Sequence, residues 1–499
     1  MAEPFYITTA ISYPNGPPHI GHAYEAIAAD VIARFQRSRG RDVRFQTGTD
    51  EHGLKMTQAA REQGVDPAKF AHQMSSLFQD MCDRLEISYD RFIRTSEPDH
   101  HRASQAVWKA MEETGDLYLG RYEGWYSIRD EAFYDESELT AGEGGEKLSP
   151  HGTPVQWTAE ESWFFRLSAY QSRLLEHYSA NPGFIQPDSR RNEVLRFVEG
   201  GLSDLSISRT SFDWGVPVPG SDGHVMYVWL DALTNYITGL GYPDETEDWS
   251  RYWPADVHMI GKDVVRFHAV YWPAFLMSAG IALPGQIYGH GFLLSSGEKM
   301  SKSIGNVVDP LALTDRFGVD SLRYFLMREV TFGQDGSYSE EAIVNRVNAE
   351  LANSFGNLAQ RTLSMIFKNL DGVIPARGDQ TEDRQLLQQV DKAVADLAAK
   401  FEVFAFSTGL EAWMGAVFAC NAYIDAAAPW ALRKTDPERM AGVLGTLAVA
   451  IRKLAEAVAP VVPASASKLV DHIDSGAQAP IGQPVPIFPR LELEEEGAA

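Results

Sequence analysis

Two pairs of cationic side chains stand more than half a chain apart: His19 and His22 in Pro18-His19-Ile20-Gly21-His22, and Lys299 and Lys302 in Lys299-Met300-Ser301-Lys302-Ser303. Both suit phosphate chemistry. The first pair follows a turn-rich stretch, Tyr13-Pro14-Asn15-Gly16-Pro17, and opens a predicted helix, where imidazoles and backbone N–H groups meet anions favourably. The second lies among Ser295, Ser296, Gly297, Ser301 and Ser303, and a movable cationic loop can close on a departing pyrophosphate and open afterwards. Each pair alone has a plainer reading. Histidines three apart also suit a metal, and two lysines suit a solvated surface. No cysteine or further histidine lies near His19 and His22 in sequence, and donors at a helix start suit the charge that develops on an α-phosphoryl group. Together the pairs predict a nucleoside triphosphate gripped from two sides. Gly21 would let adenine or ribose approach the backbone, or serve only packing.

Two further segments describe a small pocket. Val228-Trp229-Leu230-Asp231-Ala232-Leu233-Thr234-Asn235-Tyr236 and Gly261-Lys262-Asp263-Val264-Val265-Arg266-Phe267-His268, with Tyr271-Trp272-Pro273, combine rings with a few polar tips. A core accepts the rings, but not readily an aspartate and a histidine without partners. Such a lining fits a polarizable thioether, and these residues alone leave methionine, leucine and isoleucine open.

The elements that must position these groups alternate. Residues 5–12 read as a strand, Ile20 to Phe35 as a helix, Val43 to Thr47 as a strand leading into Gly48-Thr49-Asp50-Glu51-His52-Gly53, then two helices to about Leu85. Strands are expected again at Tyr227 to Leu230, Val257 to Ile260 and Gln286 to Tyr288. This predicts an α/β fold: a Rossmann-like parallel sheet split by an inserted module and followed by an all-α helical bundle, with ligands at the carboxyl ends of strands. The expected domains are 1–115 and 223–338 for the two catalytic halves, 116–222 for the insertion, 339–475 for the bundle and 476–499 for a segment ending in an acidic tail.

With 499 residues and 44% apolar content, several cores are expected. The N-terminus lacks a signal-peptide pattern and Val443 to Pro463 carries Arg452, Lys453 and Glu456, so a cytoplasmic protein without a membrane span is expected. Two cysteines, Cys82 and Cys420, cannot build a disulfide framework or a cysteine-based zinc cluster. The formal charge of −24 opposes general nucleic-acid affinity, so any such binding calls for local basic groups, as at Arg190, Arg191 and Arg196, Arg433-Lys434 or Arg452-Lys453.

In this order, the histidine and lysine signatures resemble those of class I aminoacyl-tRNA synthetases, and the two pocket segments with Ala10-Ile11-Ser12-Tyr13 resemble the methionyl-tRNA synthetase family. The resemblance covers nearly the whole chain. It implies methionine, ATP, Mg²⁺ and methionine tRNA, initiator and elongator, as reactants. It places Ile11, Tyr13, Trp229, Ala232, Tyr236, Phe267, His268 and Trp272 around the methionine side chain, Asp50 on its ammonium and Arg209 near its carboxylate. His19, His22, Lys299 and Lys302 would be catalytic, with Gly21, Gly261, Asp263 and the two lysines near ATP. Asn357, Arg361 and Trp430 would read the anticodon, although a buried bundle tryptophan is the plainer reading of Trp430. Many relatives carry a zinc knuckle in the insertion. Here Tyr126-Ser127-Ile128-Arg129-Asp130 and Leu148-Ser149-Pro150-His151 lack the paired cysteines, so no structural zinc and packing by Trp125, Tyr126, Phe133, Trp157 and Phe164 are expected. The chain also lacks the C-terminal dimerising module of longer relatives, so a monomer is expected. Synthetases for isoleucine, valine or leucine usually carry a large editing insertion, which the short segment here disfavours. A non-catalytic tRNA-binding protein is disfavoured by the intact histidines and lysines.

Overall fold

The computed structural model describes residues 2–129, 132–142, 145–295, 298–299, 307–476 and 479–493. Two compact units emerge: Met1–Ala29 with Gln36–His290, and Asp30–Phe35 with Gly291–Ala499. In the first unit six strands, β1 (Pro4–Thr9), β2 (Asp42–Thr49), β3 (Arg91–Arg94), β4 (Ile185–Gln186), β5 (Val257–Gly261) and β6 (Ile287–His290), form one sheet in the order β3-β2-β1-β5-β6-β4. Every pairing is parallel. Phe5 to Thr9 are all buried, as a parallel strand covered on both faces requires. The chain winds from β1 outward to β2 and β3, then places β5 on the other side of β1. That reversal opens a crevice at the strand ends, where Ala10 and Gly261 lie.

The expected strand over Tyr227 to Leu230 is corrected. Only Val225–Met226 is extended, and Val228–Thr238 is a helix, α2. A short apolar run does not separate strand from buried helix. The helical phase wins because Leu230, Leu233, Tyr236 and Ile237, at turn spacing, are all buried. β3 and β4 escaped the sequence reading, being only four and two residues long. β4 comes from within 116–222 yet joins the edge of the main sheet.

Residues 117–165 build a separate antiparallel sheet from Leu117–Ser127, Ala132–Tyr134 and Gln156–Phe165, joined by Leu205–Ser206. Trp125 and Trp157 face each other across it edge to face at 5.4 Å, and Tyr118 stacks on Phe164. Trp157 is 54% exposed, so it covers Trp125 from the outside and is not core. The Phe133 side chain and Asp130 lie outside the described residues. Where thiolates were sought, buried hydroxyls meet instead: Thr153 Oγ1 lies 2.7 Å from both Ser127 Oγ and Ser149 Oγ. Each hydroxyl can donate and accept, so the chain satisfies itself.

The second unit is mainly helical, with long helices at Thr381–Phe401, Phe406–Ala427 and Pro437–Val458. Asp30 and Arg323, both fully buried, pair at 2.6 Å, and Arg323 also donates to the carbonyls of Pro460 and Val461. A buried guanidinium is tolerated only when its donors are used in this way.

Candidate active site

Helix α1 (Ile20–Ser38) begins inside the histidine motif. His19 Nδ1 accepts from the Gly21 N–H at 3.0 Å, and His22 Nδ1 accepts from the His19 N–H at 3.0 Å. The rings lie 3.8 Å apart, and His22 meets the edge of Phe78. Two donors expected for phosphate are thus taken by the imidazoles. In the neutral rings this leaves the protons on Nε2, so the motif's donors are ring N–H groups. A Cβ at Gly21 would come within 2.8 Å of His19, so the glycine makes room first for that imidazole.

The strand ends are tied in sequence order. Ser12 N–H bonds to the Gly48 carbonyl and Asp50 N–H to the Ser12 carbonyl, which brings Ile11, Tyr13 and the buried Asp50 to neighbouring strand ends. Tyr13 Oη accepts from the Met56 N–H at 3.0 Å. Gly261 ends β5, and a Cβ there would meet Asp263 Oδ1 at 2.8 Å, so glycine lets the exposed Asp263 fold back.

The aromatic residues form one wall. Trp229 and Phe267 stack at 3.6 Å, and Tyr236 contacts His268 and Trp272. Phe267–Tyr271 is a π-type turn, a rare widening of the helix that concentrates at functional sites. Tyr236 Oη lies 2.6 Å from His268 Nε2, while His268 Nδ1 donates to the Val264 carbonyl at 2.9 Å. The neutral ring therefore accepts from the tyrosine. Tyr236 also stacks on His258 at 4.0 Å, and its carbonyl accepts from the Tyr6 hydroxyl.

Burial pushes the His268 ring down to about 4. An unfolded histidine titrates near 6.5, so the unfolded chain takes the proton first as pH falls. Stability contributed by this site is complete above about 6.5 and is lost toward 4, by about 3 kcal/mol in all. Urea unfolding of wild type and His268→Gln at pH 7 and pH 4.5 should show the gap between them narrowing in acid. A gap that stays constant excludes this assignment.

Arg209 is buried and pairs with Val225 on the neighbouring antiparallel strand, its Nη1 donating to Ser206 Oγ at 2.7 Å and the Ser208 carbonyl at 2.6 Å. The Tyr227 ring lies 4.4 Å from its guanidinium carbon. Lys299 is described only as part of a short strand, Glu298–Lys299, and Lys302 lies outside the described residues with the rest of 300–306.

The second unit holds the other three predicted residues. Asn357 and Arg361 lie one turn apart on Asn357–Asn369, directly after a π-type stretch, Val347–Gly356. Arg361 pairs with Asp425 at 2.8 Å and sits 5.5 Å from the Trp430 ring. Trp430 is 50% exposed, which overturns its reading as a buried bundle residue. Of the basic groups named from sequence, Arg452 pairs with Asp474 and Lys453 with Asp391, while Arg433 and Lys434 are exposed beside Trp430.

One group was missed. Asp231, fully buried on α2, is 2.6 Å from His52 Nδ1 and 2.7 Å from His100 Nε2. Burial alone would raise its carboxyl, but the two rings outweigh that and hold it well below the usual range. Asp231 and His52 both stood inside motifs singled out above, yet nothing local announces a pairing across 179 residues.

The family described as tRNA synthetases class I (M) matches residues 5–144 and 146–363, and the anticodon binding domain of methionyl tRNA ligase matches residues 374–483. The chain is 55% identical to a methionine–tRNA ligase of Brucella suis biovar 1, covering 99% of each chain. It is 56% identical to that of Mycobacterium bovis, covering 96% of this chain and 93% of the relative. Among solved structures, a Mycobacterium tuberculosis methionyl-tRNA synthetase in complex with methionyl-adenylate superposes with a TM-score of 0.94 at 54% identity, over 98% of this chain and 100% of that one. The apo form of that enzyme superposes with a TM-score of 0.88 at 50% identity, over 99% of both chains.

Proposed function

This chain belongs to the methionyl-tRNA synthetase family of class I, and from that premise we propose which of its residues carry the reaction. It is a methionine–tRNA ligase. A methionine carboxylate oxygen attacks the α-phosphorus of ATP, pyrophosphate leaves, and the resulting methionyl-adenylate is attacked by the 3′-terminal ribose hydroxyl of tRNA, releasing AMP. Positioning and charge stabilisation suffice for both steps, without a covalent enzyme nucleophile.

In our reading the Nε2–H groups of His19 and His22 donate to the phosphates, Lys299 and Lys302 neutralise the charge on the leaving pyrophosphate, and Gly21, Gly261 and Asp263 flank the nucleotide. The tautomers set by two backbone hydrogen bonds are the observation that carries this assignment. Asp50 takes the ammonium, Arg209 serves the carboxylate, and Ile11, Tyr13, Trp229, Ala232, Tyr236, Phe267, His268 and Trp272 surround the thioether. Among the described residues no group of three or more His, Cys, Asp or Glu could hold a metal, so Mg²⁺ would arrive on phosphate oxygens and neutralise their charge. The hydroxyl chain of Ser127, Ser149 and Thr153 favours an insertion without structural zinc. ATP–pyrophosphate exchange measured with each amino acid tests the whole reading. Exchange driven best by isoleucine, valine or leucine, or by none, would overturn it.

Asn357, Arg361 and Trp430 would bind unpaired anticodon bases, the exposed indole by stacking and the others by hydrogen bonds. Exposed Arg433 and Lys434 supply the local cation that a net charge of −24 otherwise denies. Trp430→Ala should lower kcat/KM for tRNA aminoacylation about 10- to 100-fold, from about 1–3 kcal/mol of lost stacking, and leave pyrophosphate exchange unchanged. Loss of both activities would instead mark the tryptophan as structural. We read initiator and elongator tRNA as joint substrates. The domain division at 115, 222, 338 and 475 and a cytoplasmic location rest on the sequence pattern and a monomeric state on the family resemblance, and no described helix is long and apolar enough to cross a membrane. Sedimentation of a dimer at micromolar protein would remove the monomer.

A further inference from the structure

Asp231 lies on α2 between Trp229 and Ala232 and five residues before Tyr236, so one helix carries both a buried carboxylate and much of the aromatic wall. Its two oxygens are used separately. Oδ2 faces His52 Nδ1 at 2.6 Å, and Oδ1 faces His100 Nε2 at 2.7 Å. A carboxylate only accepts, so each ring donates at that atom. His52 is two residues beyond Asp50 on the loop leaving β2, and His100 lies on the helix Pro98–Glu113, where its Nδ1 reaches Thr238 Oγ1 at 3.0 Å, back at the end of α2.

The surroundings shut this arrangement away from solvent, with Asp231, His52 and His100 all buried. Trp214 and His101 each meet the His52 ring at 5.3 Å, and Trp214 Nε1 donates to the Glu51 carbonyl at 2.5 Å. Glu51 is locked in turn by Arg94, at 2.7 and 3.1 Å. Glu51 is therefore clamped to Arg94 and Trp214, Gly53 N–H bonds to the Trp214 carbonyl, and His52 carries the hydrogen bond from this loop to α2.

We infer that Asp231 is a positioning residue: by accepting from His52 and His100 at once, it fastens the Asp50 loop to the helix bearing the aromatic wall and holds the amine and thioether subsites at one separation. The inference rests on Asp50 as the ammonium partner. A carboxylate is the group for this task because asparagine offers one accepting oxygen and turns an N–H toward the second ring. Misplacing a binding group by about 1 Å can cost on the order of 100-fold.

The test is a double-mutant cycle on the full-length enzyme, reading KM for methionine in pyrophosphate exchange, with KM for ATP and thermal unfolding as controls. Asp231→Asn should raise the methionine KM about 10- to 100-fold with little change in the ATP KM. Combined with Asp50→Asn it should add little further loss, because both act on one contact. His52→Asn, which keeps an N–H near the Nδ1 position, should retain more methionine affinity than His52→Ala. Additive losses in the cycle, or equal losses from both His52 variants, would overturn the inference. An Asp50→Asn enzyme with an unchanged methionine KM would instead overturn the ammonium assignment beneath it.

Discussion

Lys302→Ala is expected to slow methionine-dependent pyrophosphate exchange by about 10²- to 10³-fold while changing methionine affinity little, the size found when one preorganised charge-stabilising donor is removed. The argument runs from when the interaction forms. Negative charge accumulates on the β- and γ-phosphates as the bond to the α-phosphorus breaks, so a lysine that meets them then lowers the barrier without tightening the ground state. In the proposed reaction the histidine pair would have the complementary duty of donors fixed in advance, since both rings are pinned through Nδ1 by backbone N–H groups. Pre-steady-state adenylate formation, with methionine binding measured separately, distinguishes the roles. A matching loss in both would make Lys302 a structural residue.

Asp50→Ala is expected to raise the KM for methionine by about 10²- to 10⁴-fold. Asp50 is buried, and removing one partner of a buried ion pair costs roughly 3–5 kcal/mol because the remaining charge is left without compensation. The loss should be selective. The deaminated acid, which brings no ammonium, should bind the variant about as well as it binds the wild type. Isothermal titration with both ligands provides the check, and an equal loss for both would show that the substitution damaged the pocket as a whole.

The sheet could be read because its strands are covered on both faces. A sequence such as Phe5-Tyr6-Ile7-Thr8-Thr9, with every residue buried, leaves few alternatives to a central parallel strand. Val228-Trp229-Leu230 is equally apolar and is helical, because Leu230, Leu233, Tyr236 and Ile237 are buried at helical spacing. Short edge strands such as Ile185–Gln186 carry too few residues for any period, and they exist because a finished neighbour, Ile287–Tyr288, offers free hydrogen-bonding groups. Within the site, residue types could be read and their partners could not. Trp430 was more ordinary as a buried tryptophan, and its exposure depends on where the helix Pro429–Thr435 starts, after Ala428 in the left-handed region.

By itself the sequence determined the chemistry available: two imidazoles at a helix start, two lysines in a serine-rich segment, a carboxylate after the second strand, and serines where a zinc knuckle would need thiolates. These are local properties, carried by side chains within a few bonds of each other. Only the tertiary structure decided that His19 and His22 spend Nδ1 on their own backbone, that Ser127, Ser149 and Thr153 satisfy one another, and that Asp231 joins two histidines 179 and 131 residues away. The physical reason is range. A hydrogen bond acts over about 3 Å in space, whereas sequence spacing constrains space only over the few residues of a turn or strand, so distant partners become fixed only when packing closes the chain.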